Sequence, residues 1–569
     1  MTPAAPFRTN PGPAMNITEY ILLFGWIFVL IWVPVVIATN RKTHPGALFV
    51  LFGAEMWERF SYYGMRALLT LYMVKVLFVD MGAAADARAL GIYGSYTSMV
   101  YLFPVVGGLI ADRVFGFRKA ILVGGIIMML GHFALALEGM LFEGNMALFA
   151  GSLALIIIGN GYFKPNISSY LGTFYTTDDP RKDGAYTIFY MGVNIGAFLS
   201  SLTCGYVGEN IGWHYGFGLA GIGMGLGLIV FWTVGKKVFG SSGLEPDPVA
   251  ARRPALGPLS PNVLVWGGTL LMLPICAALL SLDQLMSTLL LIIALGIVAY
   301  LVFEALRLRA KGDQPIASSQ PETSAAGADV VASAPVLTHR QQGDRLLVVV
   351  VLFFFHAMFW ALFEQAGGSL TLFTERNVDR NVFGGEIPAS VFQSLNPLYI
   401  MLLAPVFSWM WLRLRTANAE PSTPMKFVLG LAQLGLGFGV ILIGAKFFAD
   451  EQGLVPVLFL FGLYLLHTTG ELSLSPVGLS MISKLSPGKI VGFVMGAWFL
   501  SIALANKIAG EIGKLTAGGE EAVAGATPLE SLAAYTDAYQ VWGLYVILGA
   551  AAALLVLVPL LRRWMHGIH

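Results

Sequence analysis

Apolar segments of about 20 residues recur along the whole chain, and each is long enough to cross the hydrocarbon core of a membrane as a helix. Short polar turns separate most of them, which favours membrane spans over the helices of a soluble core. About fifteen such segments are predicted, starting near Ile17, Gly46, Ala87, Phe117, Ala147, Gly184, Tyr215, Asn262, Leu285, Leu346, Pro388, Pro424, Leu454, Gly488 and Tyr535. The sequence therefore predicts an all-α polytopic membrane protein.

The composition agrees with that class and excludes others. Only 12% of the 569 residues are charged and 56% are hydrophobic, whereas soluble domains carry roughly 25% charged residues. The net charge of +1 indicates no nucleic acid or other polyanionic partner. The two cysteines, Cys204 and Cys276, lie in apolar surroundings, so no disulfide framework is expected. The eight histidines show no metal-ligand spacing, and we expect no metal, no cofactor and no enzymatic activity.

Lys and Arg in the loops predict the orientation, because loops on the cytoplasmic side carry an excess of these residues. With the loop after the Gly46 segment placed outside, the inner loops contain 23 Lys and Arg residues and the outer segments contain 7. The opposite orientation would invert this ratio. We therefore expect a multi-pass protein of the inner (plasma) membrane with a cytoplasmic C-terminus.

The segments group into two halves of six, as in transporters built from repeats. We expect an N-terminal extension with one extra hydrophobic helix over 1–45, a first six-helix bundle over 46–240, and a second over 344–569. The part between them, 241–343, combines an accessory transmembrane hairpin with a linker over about 310–342 that is rich in Ala, Ser, Pro and Gln. The extra helix, about 17–38, lacks a basic start and a cleavage site, so a signal peptide is not expected, although an interfacial helix stays open.

Charged residues inside the predicted spans are the strongest functional signal. A charge at the centre of the bilayer costs about 2.5–3.5 kcal/mol on insertion scales, so such residues usually face a cavity, form pairs and carry function. The spans contain Glu55, Glu58, Arg59, Arg66, Lys164, Glu364, Glu471, Lys507 and Glu511. We interpret Lys507 and Glu511, four residues apart, as a structural pair within one helix.

The first of these charges share one helical face. Glu55 lies three residues before Glu58 and four before Arg59, and residues at such spacings are neighbours on a helix. A carboxylate beside a permanently charged guanidinium is a plausible proton site. A static ion pair between two helices is the structural alternative. The same face continues with Tyr62, Tyr63 and Arg66.

Three further charged residues complete the set of predicted site residues. Lys164 lies in the segment GNGYFKPN, 159–166, where glycines and a proline interrupt an apolar helix and permit a kink beside a cavity. Glu364 and Glu471 lie deep in spans of the second half, where they can pair with cations of the first half. An ion pair that forms in only one conformation acts as a gate.

Three motifs, in this order, resemble those of the proton-coupled oligopeptide transporters of the major facilitator superfamily. The segment EMWERFSYYG, 55–64, resembles the ExxER signature of that family. The segment GGLIADR, 107–113, with Gly116, Arg118 and Lys119, is similar to the superfamily's loop motif between helices two and three. FYMGVNIG, 189–196, is similar to the family's fifth-helix signature. The resemblance runs from about residue 46 to the C-terminus.

The resemblance implies roles for individual residues. It implies two six-helix bundles and a symporter that imports di- and tripeptides with protons by alternating access. Arg59 and Lys164 match the pocket for the peptide carboxylate, and Glu471 with Asn396 matches the pocket for the ammonium group. The other matching pocket positions, together with the neighbouring Tyr62, are Tyr63, Tyr101, Asn194, Trp360 and Trp498.

The resemblance also implies the gates and the coupling residues. Arg66 with Glu364 resembles an outer gate and Lys164 with Glu471 an inner one. The coupled proton is assigned to the group formed by Glu55, Glu58, Arg59 and Glu364.

The sequence departs from the family pattern at two positions. Gly94 stands where animal members have a proton-linked histidine, so protonation is expected to rest on carboxylates. Asn160 stands where the family usually has Thr. Two alternatives stay open: a proton-coupled carrier of another small solute, such as nitrate or a peptide-like compound, and a membrane receptor without flux. The presence of both Lys164 and Glu471 favours a zwitterionic substrate. We expect a monomer whose partners are peptides, protons and the lipid bilayer.

Overall fold

The computed structural model describes residues 15–82, 84–176, 178–246, 260–316, 337–517 and 527–568. In this part of the chain, fourteen helices are long and apolar enough to cross a membrane. Helix Gly46–Tyr72 has a similar length of 27 residues but carries Glu55, Glu58, Arg59 and Arg66 in its interior. The predicted all-α polytopic fold is confirmed.

We number the long helices of the described residues in chain order. They are α1 Ile17–Asn40, α2 Gly46–Tyr72, α3 Ala84–Ile110, α4 Phe117–Leu141, α5 Met146–Gly172, α6 Lys182–Asn210, α7 Trp213–Thr233, α8 Pro261–Ser281, α9 Asp283–Ala310, α10 His339–Phe363, α11 Leu395–Thr416, α12 Thr423–Phe447, α13 Val457–Leu485, α14 Val491–Thr516 and α15 Pro528–Trp564. Each begins within a few residues of a predicted start, apart from three helices. α10 and α15 begin seven residues before their predicted starts, and α11 begins seven residues after its own.

Short elements connect these helices. Helices Gly235–Val238 and Ser369–Asn377 follow α7 and α10, and 3₁₀ or π-helical turns extend several long helices. The strands are β1 Val378–Asp379, β2 Asn381–Val382, β3 Gly385–Glu386 and β4 Val455–Pro456. β1 pairs with β4 in parallel, with 378 opposite 455, and β2 pairs with β3 antiparallel, with 381 opposite 386.

Helices α2–α7 pack together, and helices α10–α15 pack together in the corresponding pairs. Glycines permit close helix crossings in the first of these bundles. A Cβ atom at Gly159 of α5 would lie 2.6 Å from the carbonyl oxygen of Gly124 on α4. The glycines of 159–166 therefore allow close packing, and α5 continues through Pro165 without a break.

The remaining long helices lie against these bundles. α8 packs on α5 and α3, while α9 packs on α10 and α14, so the hairpin bridges the first and second bundles. The Tyr162 hydroxyl lies 2.6 Å from Thr269 Oγ1 on α8. α1 packs along α6, where the Trp26 indole N–H donates to Thr203 Oγ1 at 3.0 Å.

The second bundle begins earlier than predicted. α10 begins at His339, within the segment that the sequence analysis assigned to a linker ending at 342. Thr338 and Gln341 form a capping box, in which the Gln341 backbone N–H donates to the Thr338 hydroxyl at 3.3 Å and the Thr338 backbone N–H donates to Gln341 Oε1 at 3.1 Å. These two bonds satisfy backbone donors at the helix start, so the polar residues after 338 are helical. The rest of the predicted linker, 317–336, lies outside the described residues.

We name the two ends of the bundles after the residues at which α2 begins and ends. At the Tyr72 end, the first bundle is joined to the second by the ion pairs Lys75–Glu375 and Asp86–Arg376. At the Gly46 end, helices of both bundles expose large apolar side chains. Val106 of α3 is 54% exposed, Trp409 of α11 60% and Phe493 of α14 43%. The bundles are therefore tied together at the Tyr72 end.

Candidate functional site

The charge cluster of α2 is buried in the middle of the first bundle. Glu55, Glu58 and Arg59 are 5%, 0% and 3% exposed. The guanidinium Nε lies 3.0 Å from Glu55 Oε1 and 2.5 Å from Glu58 Oε2. Because all three residues belong to α2, these ion pairs do not tie two helices together. The predicted shared face is therefore present in the structure.

The cluster holds unused hydrogen-bonding capacity. Arg59 Nη2 is buried and has no hydrogen-bond partner within the described part of the chain, and the same holds for Glu55 Oε2. Buried polar atoms are normally hydrogen-bonded, so an unpartnered guanidinium N–H indicates a place for an acceptor. An anionic group is the acceptor that a guanidinium binds most strongly.

Asn160 of α5 contacts this cluster from a neighbouring helix. Its side-chain N–H donates to Glu58 Oε1 at 3.1 Å, and both residues are 0% exposed. The side-chain amide oxygen of Asn160, Oδ1, is buried and has no hydrogen-bond partner among the described residues. An amide offers both a donor and an acceptor, so Asn160 can hydrogen-bond Glu58 whether that carboxyl is ionised or protonated.

Lys164 lies one turn farther along α5. Its ammonium group lies over the ring of Tyr101 on α3, 4.1 Å from the ring centroid. An aromatic face attracts a cation without neutralising it. The Lys164 charge therefore stays available to an anionic ligand on the same side of the bundle as Arg59.

The fifth-helix signature places α6 against the same cluster. A Cβ atom at Gly196 would collide with the Met56 carbonyl oxygen and would lie 3.0 Å from Arg59 Cβ. Asn194 is 4% exposed and its side-chain N–H donates to the Tyr190 carbonyl at 3.0 Å. Glycine at 196 is therefore required for α6 to approach α2 at the position of Arg59.

Glu471 of α13 lies in the second bundle and is 7% exposed. Asn396 of α11 donates to its Oε2 at 2.9 Å and to Thr468 Oγ1 at 3.1 Å. This brings together the two residues predicted for ammonium binding. Lys164 and Glu471 do not form an ion pair among the described side chains, so the pair predicted for an inner gate is separated in this conformation.

The pair predicted for an outer gate is formed. Arg66 of α2 makes a buried ion pair with Glu364, at the end of α10, and thereby joins the bundles. Its Nε donates to the Tyr93 hydroxyl of α3 at 2.6 Å. Truncating one partner of a buried ion pair typically costs about 3–5 kcal/mol because a buried charge is left alone. This pair therefore favours the conformation in which the Tyr72 end is joined.

The predicted aromatic residues fall into two groups. Tyr62 and Tyr63 on α2 meet edge to face at 5.2 Å, and the Tyr62 hydroxyl has no hydrogen-bond partner within the described residues. On the second bundle, the Trp360 N–H donates to His356 at 2.9 Å, and the His356 ring lies 3.9 Å from that of Trp498. His356 is thus a packed and hydrogen-bonded histidine.

Lys507 makes a contact between the bundles that the sequence did not indicate. Lys507 does pair with Glu511, at 3.2 Å, but its ammonium also donates to Ser95 Oγ at 3.0 Å and to the Gly91 carbonyl at 3.4 Å, both on α3. Nothing in the sequence around Ser95 indicates this contact, because Ser95 and Lys507 are 412 residues apart.

The acidic turn of the hairpin takes part in the same network. Asp283 accepts a hydrogen bond from Lys514 at 2.5 Å and pairs with Arg88 at 3.7 Å. It therefore connects α14 of the second bundle with α3 of the first. In the described part of the chain, His, Cys, Asp and Glu side chains form no group that could hold a metal ion.

Known proteins match the chain over most of its length. A model of the POT family matches residues 118–256 and 314–529. The uncharacterized transporter YclF of Bacillus subtilis is 36% identical over 474 residues, which are 83% of this chain and 88% of that protein. The peptide transporter YePEPT of Yersinia enterocolitica is 34% identical over 533 residues, 92% of this chain and 96% of the relative.

A solved structure extends this likeness to the fold. The crystal structure of a peptide transporter POT in complex with sulfate superposes with a TM-score of 0.73 at 34% identity. The match covers 92% of this chain and 96% of the solved one. The helices, the buried charges of α2 and these similarities lead to one conclusion: the chain is a multi-pass membrane protein that belongs to the POT family.

Proposed function

We propose that the protein is a proton-coupled symporter that imports di- and tripeptides by alternating access. The observation that carries this proposal is the placement of opposite charges on the two bundles. Arg59 and Lys164 belong to the first bundle, whereas Glu471, held by Asn396, belongs to the second. Similarity to a protein named as a peptide transporter supports the substrate class.

A peptide fits such a site because it is a zwitterion. Its carboxylate pairs with Arg59, whose Nη2 has no partner within the described residues, and with Lys164. Its ammonium group pairs with the Glu471 carboxylate. A simple anion such as nitrate would use the cations and leave Glu471 unmatched, so the second bundle favours a peptide over an anion.

The proton acts on the residues that hold these cations. Glu58 and Glu55 both contact Arg59, so protonating Glu58 weakens its hold on the guanidinium and frees Arg59 for the substrate. Protonating Glu364 removes the charge that holds Arg66 and permits the Tyr72 end to open. A ligand or proton shifts such an equilibrium by its differential affinity for the two states.

The loop charges assign the ends to the two sides of the membrane. In the proposed orientation the Gly46 end faces the cytoplasm of a cell with the protein in its inner membrane, and the C-terminus is cytoplasmic. The joined Tyr72 end then faces outside. The conformation described here accordingly corresponds to a transporter open towards the cytoplasm.

Uptake into liposomes tests this proposal. Purified protein in liposomes with an acidic exterior is expected to accumulate labelled dialanine above its external concentration, and a proton ionophore is expected to collapse the accumulation. N-acetylated dialanine, which lacks the ammonium group, is expected to compete poorly. If nitrate but no peptide accumulates under the same gradient, the proposed substrate class is wrong.

Replacing Asn160 tests how the Glu58 carboxyl is held. Asn160→Leu removes its hydrogen-bond donor, and we expect gradient-driven uptake to fall roughly tenfold, since hydrogen bonds to charged groups contribute about 1.5–3 kcal/mol. Asn160→Thr keeps a hydroxyl and is expected to retain most of the uptake. Initial rates at several external pH values provide the measurement. Equal rates for the Leu variant and the wild type would contradict this role.

A further inference from the structure

The cavity that carries this inference lies at the Gly46 end of the second bundle, away from the charge cluster of α2. It has a volume of about 960 Å³ and is lined by the ends of four helices. Each helix contributes one cation: Arg415 from α11, Lys426 from α12, Lys484 from α13 and Arg562 from α15.

One carboxylate offsets part of this charge. Glu420 lies 2.7 Å from Arg415 and 2.6 Å from Lys426, and these hydrogen bonds, chiefly that from Arg415, lower the pKa of Glu420 to about 2. Lys484 and Arg562 have no ion-pair partner among the described residues. Four cations and one carboxylate leave the cavity strongly positive.

The walls of the cavity are partly apolar. Met481 and Val558 line it, and the Trp411 ring lies 4.7 Å from the Lys426 ammonium group. Tryptophan is typical of the membrane–water interface. Positive charge beside an apolar wall at a helix end suits a molecule with an anionic head and a hydrocarbon body.

The first bundle shows how the corresponding space is filled elsewhere in the molecule. There, the chain that follows α7 covers the ends of α4 and α5. Arg118 donates through its guanidinium to the Gly240 carbonyl at 2.8 Å and through its backbone N–H to the Gly243 carbonyl at 2.9 Å. Tyr170 donates to the Ser242 carbonyl at 2.8 Å, and Phe239 packs on the Tyr170 ring.

The second bundle differs because the chain after α15 packs against the start of α10 instead of covering the ends of the helices that line the cavity. Arg345 of α10 donates to the Met565 carbonyl at 3.2 Å, and His566 lies 2.8 Å from Asp344. The described chain therefore supplies no carbonyl oxygens to the cations of the cavity, unlike the segment 239–245 in the first bundle.

We infer that this cavity binds the phosphate group of an anionic phospholipid. Lys484 and Arg562 contact the phosphate, since a guanidinium binds phosphate through two parallel hydrogen bonds and an ammonium as a point charge. The acyl chains lie along Met481, Val558 and Trp411. The lipid thus occupies the place that the protein's own chain fills in the first bundle, and it does so independently of peptide binding.

Lipid titration of the purified, full-length protein tests this inference. We compare the wild type with the double variant Lys484→Gln/Arg562→Gln by thermal unfolding, titrating short-chain phosphatidylglycerol, short-chain phosphatidylcholine or inorganic phosphate. Phosphatidylglycerol is expected to raise the wild-type Tm at the lowest concentration. The double variant is expected to need a phosphatidylglycerol concentration at least roughly tenfold higher for the same rise in Tm, since two charged contacts are lost.

The matched control is Lys236→Gln/Lys237→Gln, which removes two exposed cations from the corresponding end of the first bundle. This variant is expected to respond to phosphatidylglycerol as the wild type does. Native mass spectrometry from mixed-lipid nanodiscs gives a second readout, with anionic lipid retained by the wild type and lost from the cavity variant. The single variant Lys484→Gln, expected to show an intermediate shift, replaces the double variant if that protein is not monodisperse.

Several outcomes would overturn the inference. Equal responses of the wild type and the cavity variant would show that the anionic lipid binds elsewhere. Equal stabilisation by phosphatidylcholine would show that the headgroup charge is irrelevant. If inorganic phosphate stabilises as strongly as phosphatidylglycerol, the site takes free phosphate and the lipid assignment is wrong.

Discussion

Glu58→Gln is expected to abolish peptide accumulation driven by a pH gradient. Peptide uptake is expected to fall to the background level of liposomes that contain no protein. Glutamine keeps the shape of the side chain but carries no charge and takes up no proton. Arg59, which lies 2.5 Å from Glu58 in the structure, then loses a partner whose charge changes during the cycle. Exchange of labelled for unlabelled peptide, which needs no net proton movement, is expected to remain measurable.

A buried glutamate outside the cluster provides the control. Glu138 of α4 is 0% exposed and accepts hydrogen bonds from the Tyr72 hydroxyl at 2.5 Å and the Gly144 N–H at 3.0 Å. Glu138→Gln is expected to keep gradient-driven accumulation, which would separate coupling from a general effect of losing a buried carboxylate. If Glu58→Gln still concentrates peptide, Glu58 is not the coupling residue.

Gly94→Val is expected to hold the Tyr72 end open and to suppress transport. A Cβ atom at Gly94 of α3 would lie 2.9 Å from the Gly510 Cα of α14 and 3.2 Å from the Asn506 carbonyl. Both atoms belong to the backbone of the other bundle and cannot rotate away. Overpacking costs about 1–3 kcal/mol, which shifts the equilibrium between two conformations by roughly 5- to 150-fold.

Spin labels at the Tyr72 end measure this effect. Cysteines at Val79 and Glu451, both exposed and on different bundles, are expected to show a longer interlabel distance in the Gly94→Val protein than in the wild type. Gly151→Val is the matched control, because a Cβ atom there meets no atom within 4 Å. Unchanged distances and normal uptake in the Gly94 variant would show that this crossing does not limit closure.

The position of Gly94 in the structure also explains why this chain has a glycine where the resemblance places a histidine in animal members of the family. The family resemblance places a proton-linked histidine of animal members at this point, and we expected only that protonation would rest on carboxylates. In the structure Gly94 is where two helix backbones of different bundles touch. A histidine could not occupy this crossing without separating α3 from α14.

The sequence by itself determined the spans and the shared face of the α2 charges. A membrane helix requires about 20 apolar residues, so hydropathy locates each span without knowledge of its neighbours. Glu55, Glu58 and Arg59 lie within one turn of one helix, and the helical repeat alone brings them together. These features depend on interactions that are local in the chain.

Only the tertiary structure decided which residues meet across helices. Asn160 reaches Glu58 from 102 residues away, and Lys507 reaches Ser95 from 412 residues away. The basic cavity exists because the chain turns away after α15, whereas it folds back after α7. Such contacts depend on how each helix is rotated and how closely it approaches its neighbours. Close packing at residues such as Gly196 and Gly159 determines both the rotation of each helix and its distance from its neighbours. The periodicity of the sequence does not predict this packing.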